Sequence, residues 1–248
     1  MLVLAGQREG VADPLCEMAG VARKALLPVA GVPQIDRVAA ALDAAGLSRP
    51  FPVSGLGVAR AGFTATPSGS GPADSVLAAL EGAEFPVLVT TADHPLLTPG
   101  MVRGFLEGAR GAGADLCVGL ATRATIEADY PTTRRTYLKF ADMQVSGCNL
   151  FYLARPSALA AVRFWRRAQQ DRKRPLKLAG YFGLGTILLY LLGRLDLDGA
   201  FERASRRLGI RVRPVLLPFA EAAIDLDTPA DLALVETILK RRAAKESA

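Results

Sequence analysis

Apolar runs of strand length alternate with helix-like stretches along most of this 248-residue chain. Residues 1–5, 51–54, 86–92, 115–120 and 210–217 are short and apolar, the pattern of buried strands. Residues 33–45, 73–82, 99–110, 156–169 and 229–242 carry helical periodicity, and several start at or beside a proline (Pro33, Pro99, Pro156, Pro229). Proline costs nothing there, because the first N–H groups of a helix have no partner inside it. Strand-then-helix repetition predicts βαβ units, hence an α/β fold with a mostly parallel sheet flanked by helices. Residues 137–140 and 147–153 are closely spaced strand candidates and predict some antiparallel pairing. With no internal repeat and no low-complexity linker, the chain reads as one domain over 1–248, with a helical insertion near 156–208.

Residues 178–193 carry no charge. Sixteen residues fall short of the roughly 20 that a spanning helix needs, and glycines interrupt them. A buried or interfacial helix around 184–192 is the expectation. The start of the chain has no basic segment before its apolar run and no cleavage signal, so no signal peptide is expected. Cys16, Cys117 and Cys148 are few, odd in number and widely spaced, as suits reduced thiols in a cytoplasmic protein. Nothing supplies a base for Cys148 as a nucleophile.

The net charge of +6 has a location. Residues 163–177 hold seven basic side chains (Arg163, Arg166, Arg167, Arg172, Lys173, Arg174, Lys177) against Asp171, which leaves 23 basic and 23 acidic residues elsewhere. One local patch is unlike the spread basic face of a nucleic-acid binder, so no nucleic-acid partner is expected.

Ligands of open α/β sheets bind beyond the carboxyl ends of the strands. There the sequence places Leu4-Ala5-Gly6-Gln7-Arg8-Glu9-Gly10, whose glycines let backbone N–H groups approach a phosphate while Arg8 adds charge. Asp93 follows the run 86–92 on a loop expected to expose its carboxylate, and Pro95 fixes the exit. Asp225 and Asp227 lead into the last helix and share a face if the segment is extended. Thr228 and Asp231 suit the N-cap and first turn of that helix. His94, the sole histidine, reads as loop structure or as a hydrogen bonder behind Asp93.

Lys24-Ala-Leu26-Leu27-Pro-Val-Ala-Gly31-Val-Pro33 resembles the Lys-x-Leu-Leu-x-x-x-Gly-x-Pro segment of GT-A-like nucleotidyltransferases, most of all the molybdenum-cofactor nucleotidyltransferase-like (MobA-like) group. Gln7 stands where that family's opening motif has a second glycine, and the loop after it is longer and holds Asp13-Pro14. Asp93-His-Pro-Leu-Leu and Asp227-Thr-Pro-Ala-Asp-Leu match further family motifs. The resemblance covers most of 1–160 and 210–240 but not 163–208. It implies a Rossmann-like, GT-A-like fold and transfer of NMP from an NTP, CTP or GTP favoured, to a phosphorylated small-molecule or lipid-linked acceptor. Pyrophosphate would leave.

On that resemblance Asp93 and Asp227 hold Mg²⁺, with Asp225 sharing the role, and Lys24 is catalytic. Leu4, Ala5, Gly6, Gln7, Arg8, Gly10, Lys24, Gly69, Gly71 and Ser75 bind the nucleotide, the last three near the base. Asn149, and Lys139 on the preceding strand, face the acceptor. A glycosyltransferase of the same fold using a nucleotide-sugar remains an alternative, as does a non-catalytic nucleotide-binding or membrane-associated protein. For 163–192 two readings stay open. One is a hairpin packed on the sheet with a solvated basic turn; the other is peripheral contact with the inner membrane surface.

Overall fold

The computed structural model describes residues 1–7, 13–171 and 180–246. Strands β1 (Leu2–Leu4), β4 (Phe51–Ser54), β5 (Phe63–Thr66), β6 (Val87–Thr91), β7 (Leu116–Thr122), β8 (Leu138–Lys139), β9 (Gln144–Leu153) and β10 (Val212–Leu216) form an eight-stranded sheet. The order is β10-β7-β9-β6-β1-β4-β5, with β8 paired to β9. Neighbours along the path run parallel except at β9, which is antiparallel to both β6 and β7. The expected antiparallel pair is therefore present, and its longer member lies inside the sheet. Pro28–Val29 (β2) and Val32–Pro33 (β3) make a separate small hairpin.

Helices cover both faces because successive strand side chains point to opposite sides. Val3 and Leu88 join one apolar core, whereas Leu2, Val87 and Val89 join the other. On the first face lie α2 (Gln34–Ala44) and α4 (Pro99–Gly111). The start of α4 is capped by Thr98, whose hydroxyl accepts from the Met101 N–H at 3.2 Å. Met101, Val102, Phe105, Leu106 and Ala109 of α4 are buried at helical spacing. Each fully buried large apolar side chain contributes about 1.5–3 kcal/mol. On the second face lie α3 (Pro72–Ala79), α6 (Leu159–Gln170) and α8 (Leu197–Leu208).

Sequence patterning missed β5, α1 (Pro14–Ala19) and α5 (Arg123–Asp129), while α8 falls within the expected helical insertion without having been placed individually. Helix α1 turns what read as an extended loop into structure. The Asp13 carboxylate accepts from the N–H of Leu15 at 2.9 Å, Pro14 opens the helix, and Gly20 closes it in the left-handed region at φ 63°. Within the apolar segment, α7 (Leu184–Leu191) forms as expected but has no buried residue, which removes the buried-helix reading. Among the described residues no helix is long and apolar enough to cross a membrane.

A third apolar cluster joins α1 to the C-terminal helix α9 (Pro229–Glu246). It contains Leu15, Leu27, Val29, Leu96, Ile224, Leu226, Val235 and Ile238. Leu27, Leu96 and Leu226 are fully buried and lie within three residues of Lys24, Asp93 and Asp227 respectively. The three segments with candidate chemistry thus share one rigid foundation.

Candidate active site

Beyond the carboxyl end of β6, the chain leaves the sheet at Asp93, which is half-buried rather than exposed. The Thr91 hydroxyl donates to its Oδ1 at 2.5 Å and fixes the carboxylate. The Leu226 N–H donates to the Asp93 carbonyl at 2.9 Å. Because Leu226 is buried, its neighbours Asp225 and Asp227 are turned away from the apolar foundation.

Lys24 opens a short 3-10 turn (Lys24–Leu26), and its Nζ lies 2.5 Å from Asp227 Oδ1. Two glutamines hold its backbone. The Lys24 N–H donates to Gln7 Oε1 at 2.9 Å, and the Lys24 carbonyl accepts from Gln34 Nε2. Gln34 is fully buried, so its amide serves this clamp rather than solvent. Burial works to lower the Lys24 pKa, but the hydrogen bond to Asp227 and the charges of Asp227, Asp93 and Asp13 outweigh it. The ammonium therefore holds its proton more firmly than an ordinary lysine.

Asp225 takes a different partner. Its Oδ1 accepts from Arg135 Nη1 at 2.8 Å, while Arg135 Nη2 pairs with Asp231. The Arg135 side chain is only 6% exposed. Burial, and after it the charges of Asp227 and Asp93, push the Asp225 pKa up to about 6 against the pull of Arg135. Asp231 also accepts from the Thr228 N–H at 2.8 Å and the Thr228 hydroxyl at 2.7 Å, and its own N–H returns a bond to that hydroxyl at 3.2 Å. Thr228 and Asp231 thus cap α9, as their sequence positions suggest.

The nucleotide-side segments meet at the same sheet edge. The Ala5 N–H donates to the Ser54 carbonyl at 2.8 Å, and the Ser54 hydroxyl donates to the Pro67 carbonyl at 2.9 Å. A Cβ at Gly55, whose φ is +82°, would sit 2.7 Å from the Gly6 Cα, so the two loops approach at a distance only glycine permits. Gly6 and Gln7, following Leu4 and Ala5, lie there, whereas Arg8 and Gly10 lie outside the described residues. Gly69 donates its N–H to Ser75 Oγ at 3.1 Å, and a Cβ on Gly69 would overlap Asp74. Gly71 is the N-cap of α3. The loop around Gly69, Gly71 and Ser75 is a folded turn over a helix start.

Asn149 adopts φ +51° in β9, where the register with β7 shifts between Val118 and Leu120. Bulges of this kind re-aim a side chain, and asparagine tolerates the left-handed region. Thr90 pairs with Leu150, so Asn149 lies level with Thr91, at the end of β6 that carries Asp93. Lys139 is not brought there. It pairs with Gln144, five residues further along β9, or about 17 Å at strand rise. His94 points away from the site: its buried ring meets the Glu221 carbonyl at 3.2 Å. Glu221 is in turn held by the Tyr130 hydroxyl at 2.5 Å and by Arg242. The three cysteines are buried and their thiol pKa values are raised, chiefly by that burial.

Asp93 and Asp227 offer hard oxygen donors beside the Lys24 ammonium. Among the described residues no cluster of three or more His, Cys, Asp or Glu side chains forms a closed metal cage. An open pair of carboxylates fits Mg²⁺, which is commonly held by one or two carboxylates with water and substrate phosphate completing the shell. Arg135, Gln34 and Thr91 had no local sequence signal, since each acts through a partner distant in the chain or set by the turn.

The family model for the MobA-like NTP transferase domain matches residues 16–176. No curated protein matches the sequence. Among solved structures, a hypothetical transferase from Thermus thermophilus is 36% identical with a TM-score of 0.81, over 93% of this chain and 97% of that one. A CMP:2-keto-3-deoxy-manno-octonic acid synthetase complexed with CTP superposes at TM-score 0.56 with 15% identity, over 98% of each chain. The 2-C-methyl-D-erythritol 4-phosphate cytidylyltransferase of Thermus thermophilus gives 0.52 at 17% identity, over 96% of this chain and 98% of that one. The last two similarities are of fold.

Proposed function

Because this chain belongs to the MobA-like NTP transferase family, a family of nucleotidyltransferases, we propose that it transfers NMP from an NTP to a phosphorylated acceptor in a Mg²⁺-dependent reaction. An oxygen of the acceptor phosphate attacks the α-phosphorus, the bond to the β-phosphate oxygen breaks, and pyrophosphate leaves with that electron pair. A phosphate nucleophile is already anionic near neutral pH, so the reaction needs no general base. That suits a site whose nearest histidine is buried and turned away.

The observation that carries this reading is the joining of Lys24, Asp93 and Asp227 through one ion pair and one backbone bond at the carboxyl edge of the sheet. Phosphoryl-type transfer is catalysed mainly by positioning and charge stabilisation. Lys24 would bind the oxygens that gain charge at the α-phosphate, and its ion pair with Asp227 keeps the ammonium charged and aimed. Asp93 and Asp227 would hold Mg²⁺, which when bound supplies charge neutralisation between α-phosphate and acceptor. N–H groups of the Gly6–Gln7 turn would face the triphosphate, and the Gly69–Ser75 turn the base. Asn149 would contact the acceptor. CTP is the favoured donor, since two enzymes of the same fold are by name a cytidylyltransferase and a CMP-sugar synthetase described with CTP. The acceptor is a small phosphorylated molecule or a lipid-linked phosphate; the basic and apolar segment 163–192 is the reason to include the second.

The test is pyrophosphate release from each of the four NTPs with a panel of phosphorylated acceptors, in Mg²⁺ and in EDTA. Release that needs both acceptor and metal is expected. Transfer from nucleotide-sugars with no pyrophosphate formed would replace this reading by glycosyl transfer.

A further inference from the structure

On α7 the side chains of Leu184, Leu188, Leu191 and Leu192 are 76%, 58%, 75% and 58% exposed. They recur at i, i+4, i+7 and i+8, the spacing of a single helical face. The helix is anchored at both ends. Thr186 lines a small, partly open apolar cleft with Phe164 and Phe182, bounded by Ala204 and Leu208 of α8. Phe164 and Phe182 meet edge to face at 5.3 Å. At the far end the Tyr190 hydroxyl accepts from the Lys139 N–H at 3.3 Å, and its ring meets Phe140 edge to face at 6.0 Å. The leucine face is therefore held outward by a fixed helix.

The helices that flank it in the chain carry exposed aromatic and basic side chains, and Phe164 of α6 packs on Tyr181 and Phe182 just before it. Trp165 on α6 is 55% exposed, between the exposed Arg163 and Arg167. Arg194 follows the end of α7, and exposed Arg206 lies in the last turn of α8 beside Arg207, whose guanidinium donates to the Tyr181 carbonyl at 2.9 Å and to the Gly180 carbonyl.

We propose that the leucine face of α7 docks on an anionic lipid bilayer, with the helix lying in the plane of the interface and the flanking arginines against lipid phosphates. An eight-residue helix is about 12 Å long and cannot cross a hydrocarbon core of about 30 Å. Lying flat requires only an apolar face with cations beside it. Charge decides between a bilayer and a second copy of the chain. In the described residues 163–171 and 194–208, which flank α7 in the chain, seven arginines stand against Asp171, Asp196, Asp198 and Glu202, a net charge of +3. A two-fold dimer through this region would set like charges facing one another, whereas an anionic surface neutralises them. The Tyr190–Lys139 contact links α7 to β8 and through it to β9, which bears Asn149. Docking stands independently of which reaction the site performs.

Sedimentation of the full chain with vesicles tests the proposal, using phosphatidylcholine alone and a phosphatidylcholine–phosphatidylglycerol mixture, at low and high salt. Trp165, the single tryptophan, provides a second readout through its fluorescence. Binding to the anionic mixture is expected, with a blue shift of Trp165 emission, and weakening in high salt or on neutral vesicles. The double variant Leu188→Glu/Leu191→Glu, checked for native circular dichroism, should bind roughly ten-fold more weakly or worse. Arg163→Gln and Arg167→Gln should each cost about five-fold. Equal, negligible sedimentation in every condition would overturn the proposal, as would leucine variants that bind like the wild type. A mass that doubles with concentration and is halved by Leu188→Glu, with no vesicle binding, would assign the face to a second copy instead.

Discussion

The N–H of Leu226 donates to the carbonyl of Asp93 at 2.9 Å, and this one backbone bond registers two segments far apart in sequence. It sets Asp225 and Asp227 on either side of a buried leucine and draws the Asp93 segment against them, so that acidic residues of both segments converge. The cost of that convergence shows at Asp225, whose pKa is pushed up to about 6 by burial and then by its two acidic neighbours.

Asp93→Ala and Asp227→Ala are each expected to lower metal-dependent turnover by about 10²-fold or more. Asp227 is exposed and Asp93 half-buried, so neither truncation opens a core cavity. Pyrophosphate-release rates at limiting Mg²⁺, read beside thermal melts that stay near wild type, check this.

Lys24→Ala should reduce the rate by roughly 10²–10³-fold, the scale for losing one charge-stabilising donor. Lys24→Arg should recover little of it, because a planar guanidinium does not replace a compact ammonium held at 2.5 Å from Asp227. Single-turnover rates with saturating NTP separate this from weakened binding.

Arg135→Met would leave Asp225 and Asp231 without their shared cation. Removing one partner of a buried pair strands the other, and the expected loss is roughly 2–3 kcal/mol, at the low side because Asp225 retains solvent contact. Urea denaturation of the two proteins measures it.

His94 is fully buried, and burial lowers its pKa below the usual histidine value, with the Glu221 carbonyl opposing. Between that lowered value and the ordinary 6.5, the unfolded chain binds a proton that the folded one refuses. Stability contributed by the neutral ring is therefore complete above about 6.5 and falls as pH drops through that window, with a slope approaching 1.4 kcal/mol per pH unit. His94→Gln should flatten this part of the stability profile, measured by denaturation from pH 7.5 down to 5.

The strands and helices with uninterrupted apolar pattern were legible in the sequence, as were Lys24, Asp93 and Asp227, each placed by a motif or a strand end. Helix α1 was hidden by a glycine-rich context, although Asp13-Pro14 and Gly20 are ordinary start and stop signals. Arg135 was invisible because its meaning lies in Asp225 and Asp231, some 90 residues away. The four leucines of α7 could not be assigned from sequence, since an apolar face reads the same whether buried or exposed. Lys139 was misplaced for a simpler reason: strand order does not reveal register, and five residues of β9 separate its partner from Asn149.

The most direct test of the site is calorimetric titration of NTP into the wild type, Asp93→Asn and Asp227→Asn, with and without Mg²⁺. In the wild type, Mg²⁺ is expected to tighten NTP binding by at least about ten-fold. In both variants that metal-dependent gain should vanish while the metal-free affinity stays the same or rises, because a carboxylate that repels the triphosphate has been removed. Variants that bind NTP with the full wild-type dependence on Mg²⁺ would contradict a site built on Asp93 and Asp227.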